Sequence, residues 1–120
     1  MERILVVDDL RTNAEMVAGL LRNLGYEIEI AGDGEEALEM VRARTPDMVI
    51  TDIMMPRMDG YEACAKIRSH EETREVPVVF LSARAQQSDI DKGRAYGVSD
   101  YLTKPFDPTD LLEVIERLTK

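Results

Sequence analysis

Short apolar runs alternate with longer stretches of helical periodicity along the whole chain. The runs predict β-strands at about 3–7, 27–31, 47–51, 77–81 and 99–102. The first and fourth are continuously apolar, which is typical of strands that are buried on both faces of a sheet. The second alternates polar and apolar positions and therefore indicates an edge strand with one solvent-facing side.

The stretches between the strands predict helices at about 11–24, 34–44, 59–69, 86–96 and 108–118. In the first of them, apolar residues at three- and four-residue steps predict a buried face made of Ala14, Val17, Leu21 and Leu24. Gly25 predicts a left-handed cap at its end. The helix at 86–96 has few large apolar residues and an internal glycine, so we expect it to be the least stable.

Five strands that alternate with five helices predict an α/β fold with helices on both faces of a parallel sheet. We expect one domain over residues 1–120, a doubly wound (βα)5 arrangement of the flavodoxin-like kind. Right-handed crossovers and the edge-like second strand favour the strand order 2-1-3-4-5. In that order strands 1 and 3 are neighbours, and ligands bind beyond their carboxyl ends.

Polar residues stand where four of the predicted strands end. Asp8 and Asp9 follow the first strand, Asp52 the third, Ser82 the fourth and Lys104 the fifth. Because the carboxyl ends of parallel strands lie along one edge of a sheet, these side chains should meet in one pocket. Each residue alone would be an ordinary turn or surface residue, but the four positions together indicate a functional site.

Three carboxylates in one pocket repel one another, and a hard divalent cation such as Mg²⁺ removes that repulsion. The only histidine, His70, and the only cysteine, Cys64, do not form a zinc ligand set. A carboxylate beside Mg²⁺ is able to attack phosphorus, and Asp52 is the best nucleophile candidate because it lies on the central strand. Lys104 and Ser82 would then contact oxygens of the phosphoryl group.

Composition excludes several other functions. The formal net charge of −9 repels phosphate backbones and anionic membranes, so we expect neither direct nucleic-acid binding nor membrane association. The apolar stretches are far shorter than a membrane span, and Met1 is followed almost at once by the first strand, which leaves no room for a signal peptide. A single cysteine cannot form an internal disulfide, which fits a cytoplasmic location.

The chain resembles the receiver domain of bacterial two-component response regulators over essentially its whole length. The resemblance is carried by residues 4–9, 47–56, 58–60, 77–83 and 97–106. None of these segments is specific alone, but their combination is highly specific. The resemblance implies a domain that is switched by phosphorylation.

The resemblance also implies roles for individual residues at the acidic pocket. Asp52 corresponds to the phospho-acceptor of the family. Asp9 corresponds to the direct Mg²⁺ ligand, and Asp8 would act mostly through water. The backbone carbonyl of Met54 would complete the protein ligands, and Mn²⁺ is an alternative to Mg²⁺.

Further residues match the family's switching and lifetime positions. Lys104 and Ser82 match its lysine and hydroxyl, with serine where threonine is more usual. Tyr101 matches the switch aromatic, which rotates inward when the hydroxyl moves toward the phosphoryl group. Met54 and Arg84 match positions beside the route of the attacking water, so we expect them to influence the dephosphorylation rate.

The implied partners follow from the same resemblance. A sensor histidine kinase or a histidine phosphotransfer protein would supply the phosphoryl group, and the domain would catalyse only its own phosphorylation and dephosphorylation. The face made by strand 4, helix 4, strand 5 and helix 5 would change and control a partner or an attached output domain. The helix 4, strand 5 and helix 5 face is also the expected homodimer surface, with Arg94, Asp100 and Arg117 as candidates for pairing across it.

Two other classes share parts of this pattern. A haloacid-dehalogenase-like phosphatase also uses an aspartate nucleophile, Mg²⁺ and a lysine, but places its two acids two residues apart after the first strand. Here Asp8 and Asp9 are adjacent, and the proposed nucleophile follows strand 3. A flavodoxin-like cofactor binder would need a loop rich in serine, threonine and glycine after strand 1, where this chain has two aspartates.

Overall fold

Five strands and five helices alternate along the chain in the computed structural model. It describes residues 3–53, 55, 58–82, 87–103 and 107–119, with residues 87, 89 and 119 as backbone only. The strands are β1 (Arg3–Val7), β2 (Glu27–Ala31), β3 (Met48–Asp52), β4 (Val78–Ser82) and β5 (Asp100–Thr103). The helices are α1 (Arg11–Asn23), α2 (Gly34–Ala43), α3 (Gly60–Ser69), α4 (Gln87–Ala95) and α5 (Pro108–Thr119).

The five strands form one parallel sheet in the order β2-β1-β3-β4-β5, so the predicted topology is confirmed. The alternating strand β2 lies at an edge, and β1 and β3 are neighbours at the point where the strand order reverses. The register places Thr51 of β3 opposite Val7 of β1, and Asp52 opposite Leu81 of β4. The carboxyl ends of the three central strands therefore lie side by side.

Strands β3, β4 and β5 each begin and end one residue later than the sequence pattern predicted. Asp52 and Ser82 are consequently the last residues of their strands rather than the first residues after them. At the other end of β3, the Asp47 carboxylate accepts the Arg3 backbone N–H at 2.7 Å. The Asp47 backbone N–H in turn donates to the Arg3 carbonyl at 2.8 Å, and the regular pairing of β1 with β3 starts at Ile4 and Met48.

Alternate strand residues feed two apolar clusters, one on each face of the sheet, as the predicted two-sided packing requires. The helical members of the first cluster come from α1 and α5 and are Ala14, Val17, Ala18, Leu21, Leu111, Val114 and Ile115. The helical members of the second come from α2 and α3 and are Ala37, Val41, Tyr61, Cys64 and Ile67. Helices therefore cover both faces. No helix within the described ranges is long and apolar enough to cross a bilayer.

The end of α1 shows where helical periodicity fails as a guide. Leu24 is 53% exposed, so its prediction as part of the buried face was wrong. The helix stops at Asn23, and Gly25 takes a φ of 95°, as the predicted left-handed cap requires. The Gly25 and Tyr26 N–H groups donate to the carbonyls of Arg22 and Leu21, which is a Schellman motif. This turn points Leu24 away from the sheet.

A second Schellman motif ends α4. Gly97 has a φ of 90°, and the Gly97 and Val98 N–H groups donate to the carbonyls of Arg94 and Gly93. Arg68 at the end of α3 then donates to the Gly97 carbonyl at 3.0 Å and to the Val76 carbonyl at 2.5 Å. One guanidinium therefore joins α3 to the segments that precede both β4 and β5.

Alanine substitutions at two glycines should change the free energy of unfolding in opposite directions. A Cβ at Gly19, inside α1, would meet nothing within 4 Å, so Gly19→Ala should raise the free energy of unfolding by about 0.5–1 kcal/mol. At Gly97 the positive φ opposes any side chain, and so does Arg68, whose side chain would lie 3.1 Å from an added methyl group. Gly97→Ala should therefore lower the free energy of unfolding by about 1–2 kcal/mol. Urea denaturation measures the free energy of unfolding of both variants. A change of the same sign in both would contradict the placement of Gly19 inside a helix and of Gly97 in a left-handed turn.

Candidate functional site

Three acidic side chains meet at the carboxyl edge of the sheet. Asp8 and Asp9 follow β1, and Asp52 ends β3. Each offers one carboxylate oxygen, and these oxygens all lie within 4.8 Å of one another. Asp8 is buried, Asp52 is half-buried and Asp9 is exposed. The pocket therefore opens to solvent on the Asp9 side.

Local hydrogen bonds fix the position of Asp8. Its backbone N–H donates to the Ala31 carbonyl at 3.1 Å, so it continues the line of β1 beside β2. Its Oδ1 accepts the Leu10 N–H at 2.9 Å, which turns the chain towards α1. Asp8 thus serves the turn with one oxygen while its side chain still contributes an oxygen to the acidic cluster.

The donor chemistry of the cluster fits a hard divalent cation. Carboxylate oxygens are the ligands that Mg²⁺ and Mn²⁺ prefer, whereas zinc sites use histidine and cysteine. Within the residues that the structure describes, Asp8, Asp9 and Asp52 form the one group of acidic, histidine or cysteine side chains close enough to share an ion. Three negative charges at this spacing would also gain most from a cation.

The structure describes two of the other predicted site residues, Ser82 and Tyr101. Ser82 ends β4 and is buried, one residue beyond the position that pairs with Asp52. Tyr101 lies in β5, opposite Phe80, and is half-buried. The remaining three predicted residues lie outside the described residues, namely Met54, Arg84 and Lys104.

A row of aromatic side chains joins Tyr101 to α3 and α4. The Phe80 ring packs edge-on against Tyr101, with centroids 6.2 Å apart, and against Tyr61 of α3 at 5.3 Å. Tyr61 also contacts the Tyr96 ring at 5.6 Å and carries the Lys92 ammonium 4.5 Å above its face. We did not predict this row, because each ring alone has the pattern of an ordinary buried residue.

Cys64 of α3 is fully buried under the end of α4. Its Sγ donates to the Tyr96 carbonyl at 3.3 Å. Burial raises the pKa of the Cys64 thiol because the thiolate loses solvation, and the nearby Arg68 charge opposes part of that rise. Cys64 is therefore a protected and unreactive thiol in this conformation.

The charged residues considered for pairing between subunits have partners inside the chain. Arg94 lies 3.8 Å from the Asp91 carboxylate within α4. Arg117 of α5 forms an ion pair with Asp100 of β5. The intrachain pair between Arg117 and Asp100 ties α5 to the edge strand.

The family model for the response regulator receiver domain matches residues 4–116. The chain belongs to this family. Response regulator PleD of Caulobacter vibrioides is 40% identical over 118 residues, which cover 98% of this chain and 26% of PleD. This chain spans between 26% and 51% of the length of the first curated relatives that it matches.

Solved structures agree with this assignment. A crystal structure of a putative response regulator from Chloroflexus aurantiacus has a TM-score of 0.94 and 38% identity, covering 98% of this chain and 97% of that one. The receiver domain of sensor histidine kinase PA1611 from Pseudomonas aeruginosa has a TM-score of 0.91 and 34% identity, with coverage of 98% and 97%. That structure has a magnesium ion coordinated in its active-site cleft.

Membership of the family establishes the general activity. A receiver domain of two-component response regulators is a phosphorylation-dependent signalling switch, not a conventional enzyme. Response regulators receive phosphoryl groups from histidine kinases, and receiver domains bind Mg²⁺ at an acidic site. The cluster of Asp8, Asp9 and Asp52 is consistent with such a site.

The reactivity of Cys64 should report its burial. Because burial raises its pKa, labelling by a small disulfide reagent should reach half of its maximum at a pH above the ordinary thiol value of about 8.5. The same chain unfolded in urea is the matched control and should titrate near the ordinary value. The free energy of unfolding should fall as the pH rises above about 8.5, since the unfolded chain then favours the thiolate. Identical titration of folded and unfolded chains would contradict this description.

Proposed function

We propose that this domain is activated by transfer of a phosphoryl group to Asp52, in a reaction that requires Mg²⁺. The donor would be the phosphohistidine of a sensor histidine kinase or of a histidine phosphotransfer protein. One observation carries the proposal: the Asp8, Asp9 and Asp52 carboxylates lie within 4.8 Å of one another at the sheet edge where doubly wound folds bind ligands.

The position of Asp52 supports its role as nucleophile. It ends the central strand β3, with the two acids that follow β1 on one side and Ser82 of β4 on the other. Asp9 would bind the ion directly, Asp8 mostly through water, and Asp52 and the Met54 carbonyl would complete the ligands. Mg²⁺, or Mn²⁺ in its place, would neutralise the acidic cluster and the incoming phosphoryl charge.

The proposed transfer replaces a phosphorus–nitrogen bond of the donor with a phosphorus–oxygen bond of Asp52. A carboxylate oxygen of Asp52 forms a bond to phosphorus while the bond from phosphorus to the donor histidine nitrogen breaks. That nitrogen keeps the bonding electron pair. Lys104 and Ser82 contact phosphoryl oxygens, and a water molecule later hydrolyses the acyl phosphate, at a rate influenced by Met54 and Arg84.

The aromatic row supports a route from the phosphoryl group to the protein surface. Phosphorylation adds roughly −1.5 to −2 charge, which attracts the Ser82 hydroxyl. Ser82 is buried, so its movement leaves space that Tyr101 of the next strand fills. Tyr101 contacts Phe80, and Phe80 contacts Tyr61, so the change reaches the rings against which α4 packs.

The output surface in this proposal is the face made by β4, α4, β5 and α5. It would control a partner protein or an attached output domain, and α4, β5 and α5 would form the homodimer contact. The net charge of −9 favours protein partners over direct contact with nucleic acid.

Phosphorylation of Asp52 is tested directly with a small phosphodonor. Incubation with acetyl phosphate and Mg²⁺ should give a mass gain of one phosphoryl group that is stable to acid and labile to base. Asp52→Ala should abolish the gain because the nucleophile is absent. The matched control, Asp110→Asn, removes an exposed carboxylate from α5 and should be labelled like the wild type. An unmodified wild type, or an equally labelled Asp52→Ala variant, would refute the proposal.

Substitution of Asp9 should have opposite effects on thermal stability in the absence and in the presence of Mg²⁺. Without divalent ions, Asp9→Asn should raise the melting temperature, because it removes like-charge repulsion from the cluster. With Mg²⁺ the wild type should gain stability as the ion binds the folded state, and the apparent Kd of the variant should be weaker by about tenfold or more. Thermal unfolding over a Mg²⁺ titration measures both effects. Equal Mg²⁺ responses in the two proteins would exclude Asp9 as a ligand.

A further inference from the structure

We infer that Thr51 and Gly60 are positioning residues for Asp52: Thr51 holds its main-chain carbonyl, Gly60 leaves room for that carbonyl beside α3, and the direction of the carboxylate depends on both. The inference rests on the proposed phosphorylation of Asp52 and extends it to residues that do not contact the phosphoryl group. The Thr51 hydroxyl donates to this oxygen from inside β3, and the first turn of α3 lies so close to it that a side chain at Gly60 would not fit.

The Thr51 contact is a hydrogen bond. Its hydroxyl donates to the carbonyl oxygen of the half-buried Asp52 at 2.9 Å, so the bond is partly buried, and Thr51 itself is 1% exposed. Its neighbours in the sheet register are Val7 and Phe80, both apolar. A hydroxyl buried among apolar groups is costly without a partner, so this bond keeps the Thr51 side chain and the carbonyl in one fixed arrangement.

The Gly60 contact is a close approach of two backbones. Its N–H donates to the Ile53 carbonyl at 2.8 Å. A Cβ at this position would lie 2.7 Å from the Asp52 carbonyl oxygen and 2.9 Å from the Ile53 Cα. Both are main-chain atoms that cannot rotate away. Asp59 caps α3 by accepting the Glu62 N–H at 2.9 Å, so the first turn is anchored at this place.

These contacts matter because the sheet stops constraining the chain at Asp52. Asp52 is the last residue of β3 to pair with β4, opposite Leu81. The backbone N, Cα and carbonyl carbon of Asp52 together fix the direction of its Cα–Cβ bond. Holding the carbonyl group therefore limits rotation about the N–Cα bond, which would swing the side chain at the end of the strand. The carboxylates of Asp8 and Asp9 lie within 4.8 Å, so such a rotation changes the whole cluster. Displacements of about 1 Å cost enzymes as much as about 100-fold in rate.

The competing explanation is that the Thr51 hydroxyl only stabilises the fold, and the chain offers a matched control for it. Thr73 is also 1% exposed, and its hydroxyl donates to the Ile67 carbonyl at 2.6 Å. It lies after the far end of α3, away from the acidic cluster. Replacing either threonine with valine keeps the shape and removes a hydroxyl that donates to the main chain; the Thr73 hydroxyl also lies 3.4 Å from the His70 carbonyl.

The decisive experiment compares Thr51→Val, Thr51→Ser and Thr73→Val under acetyl phosphate and Mg²⁺. Thr51→Val should lower the rate constant at saturating donor by about tenfold, with a smaller change in the donor concentration that gives half of the maximal rate. Thr51→Ser keeps the hydroxyl and should remain within about twofold of the wild type. Thr73→Val should lower the free energy of unfolding but leave the rate constant unchanged.

A second readout needs neither metal nor phosphodonor. The Ile53 amide shares its peptide group with the Asp52 carbonyl, so its chemical shift reports the hydrogen bond from Thr51. In metal-free protein, Thr51→Val should move the NMR amide signals of Ile53 and Gly60. Thr51→Ser should restore them, and Thr73→Val should leave them in place.

Glycine variants test the other contact. Gly60→Ala should reduce the saturating rate constant more than Thr51→Val does, because its methyl group displaces main-chain atoms. Gly97→Ala is the control: it strains a positive φ and crowds Arg68 at the turn before β5, away from Asp52, so it should lower the free energy of unfolding and leave the rate constant unchanged. If Gly60→Ala does not fold, the threonine series decides alone.

The outcomes separate this inference from the proposed function. A wild type that is not phosphorylated would refute the proposed function and remove the basis of the inference with it. A wild type and a Thr51→Val variant that are both phosphorylated on Asp52 at the same rate would overturn the inference alone. The same holds if Thr73→Val slows phosphorylation as much as Thr51→Val does.

Discussion

Like charges held together at one edge of a parallel sheet are the constraint on which the rest of this structure depends. Asp8, Asp9 and Asp52 place three carboxylate oxygens within 4.8 Å, an arrangement that an unfolded chain would avoid. The fold enforces it because parallel strands end at a common edge and β1 adjoins β3. Burial of the apolar residues of β1 and β4, two strands that are buried along their whole length, supplies the free energy that holds this edge together.

The amino-terminal ends of the strands, at the other end of the sheet, contrast with the acidic cluster. There the buried Arg3 donates from its side chain to the Glu29 carboxylate and to the carbonyls of Arg44 and Thr45, while its N–H donates to Asp47. A cation and its acceptors are matched, so this end of the sheet favours the folded state. Opposite charges are therefore paired at the amino-terminal ends of the strands, where they stabilise the fold. Like charges are gathered at the carboxyl-terminal ends, where the proposed chemistry takes place.

The sequence was sufficient for the strand order and for the convergence of the acids, because both follow from short-range patterns and from the geometry of parallel strands. It was not sufficient where two distant segments approach. Thr51 has the pattern of an ordinary strand residue, and only the structure shows that its hydroxyl donates to a carbonyl beside which α3 leaves no room for a side chain at Gly60. The prediction for Leu24 was wrong for a related reason. The helical period of the sequence includes Leu24, but the helix ends at Asn23 and the chain turns at Gly25.

The contacts of α4 bear on how a signal would leave the site. Among the described side chains of this helix and its cap, the contacts concentrate at the carboxyl-terminal end. Gly93 lies against Phe80 and Val98, Lys92 lies over Tyr61, and the Tyr96 carbonyl accepts from Cys64. Arg68 fixes the turn that follows. In the proposed switch, a change at Phe80 or Tyr61 would therefore reach α4 through Gly93, Lys92 and the cap residue Tyr96.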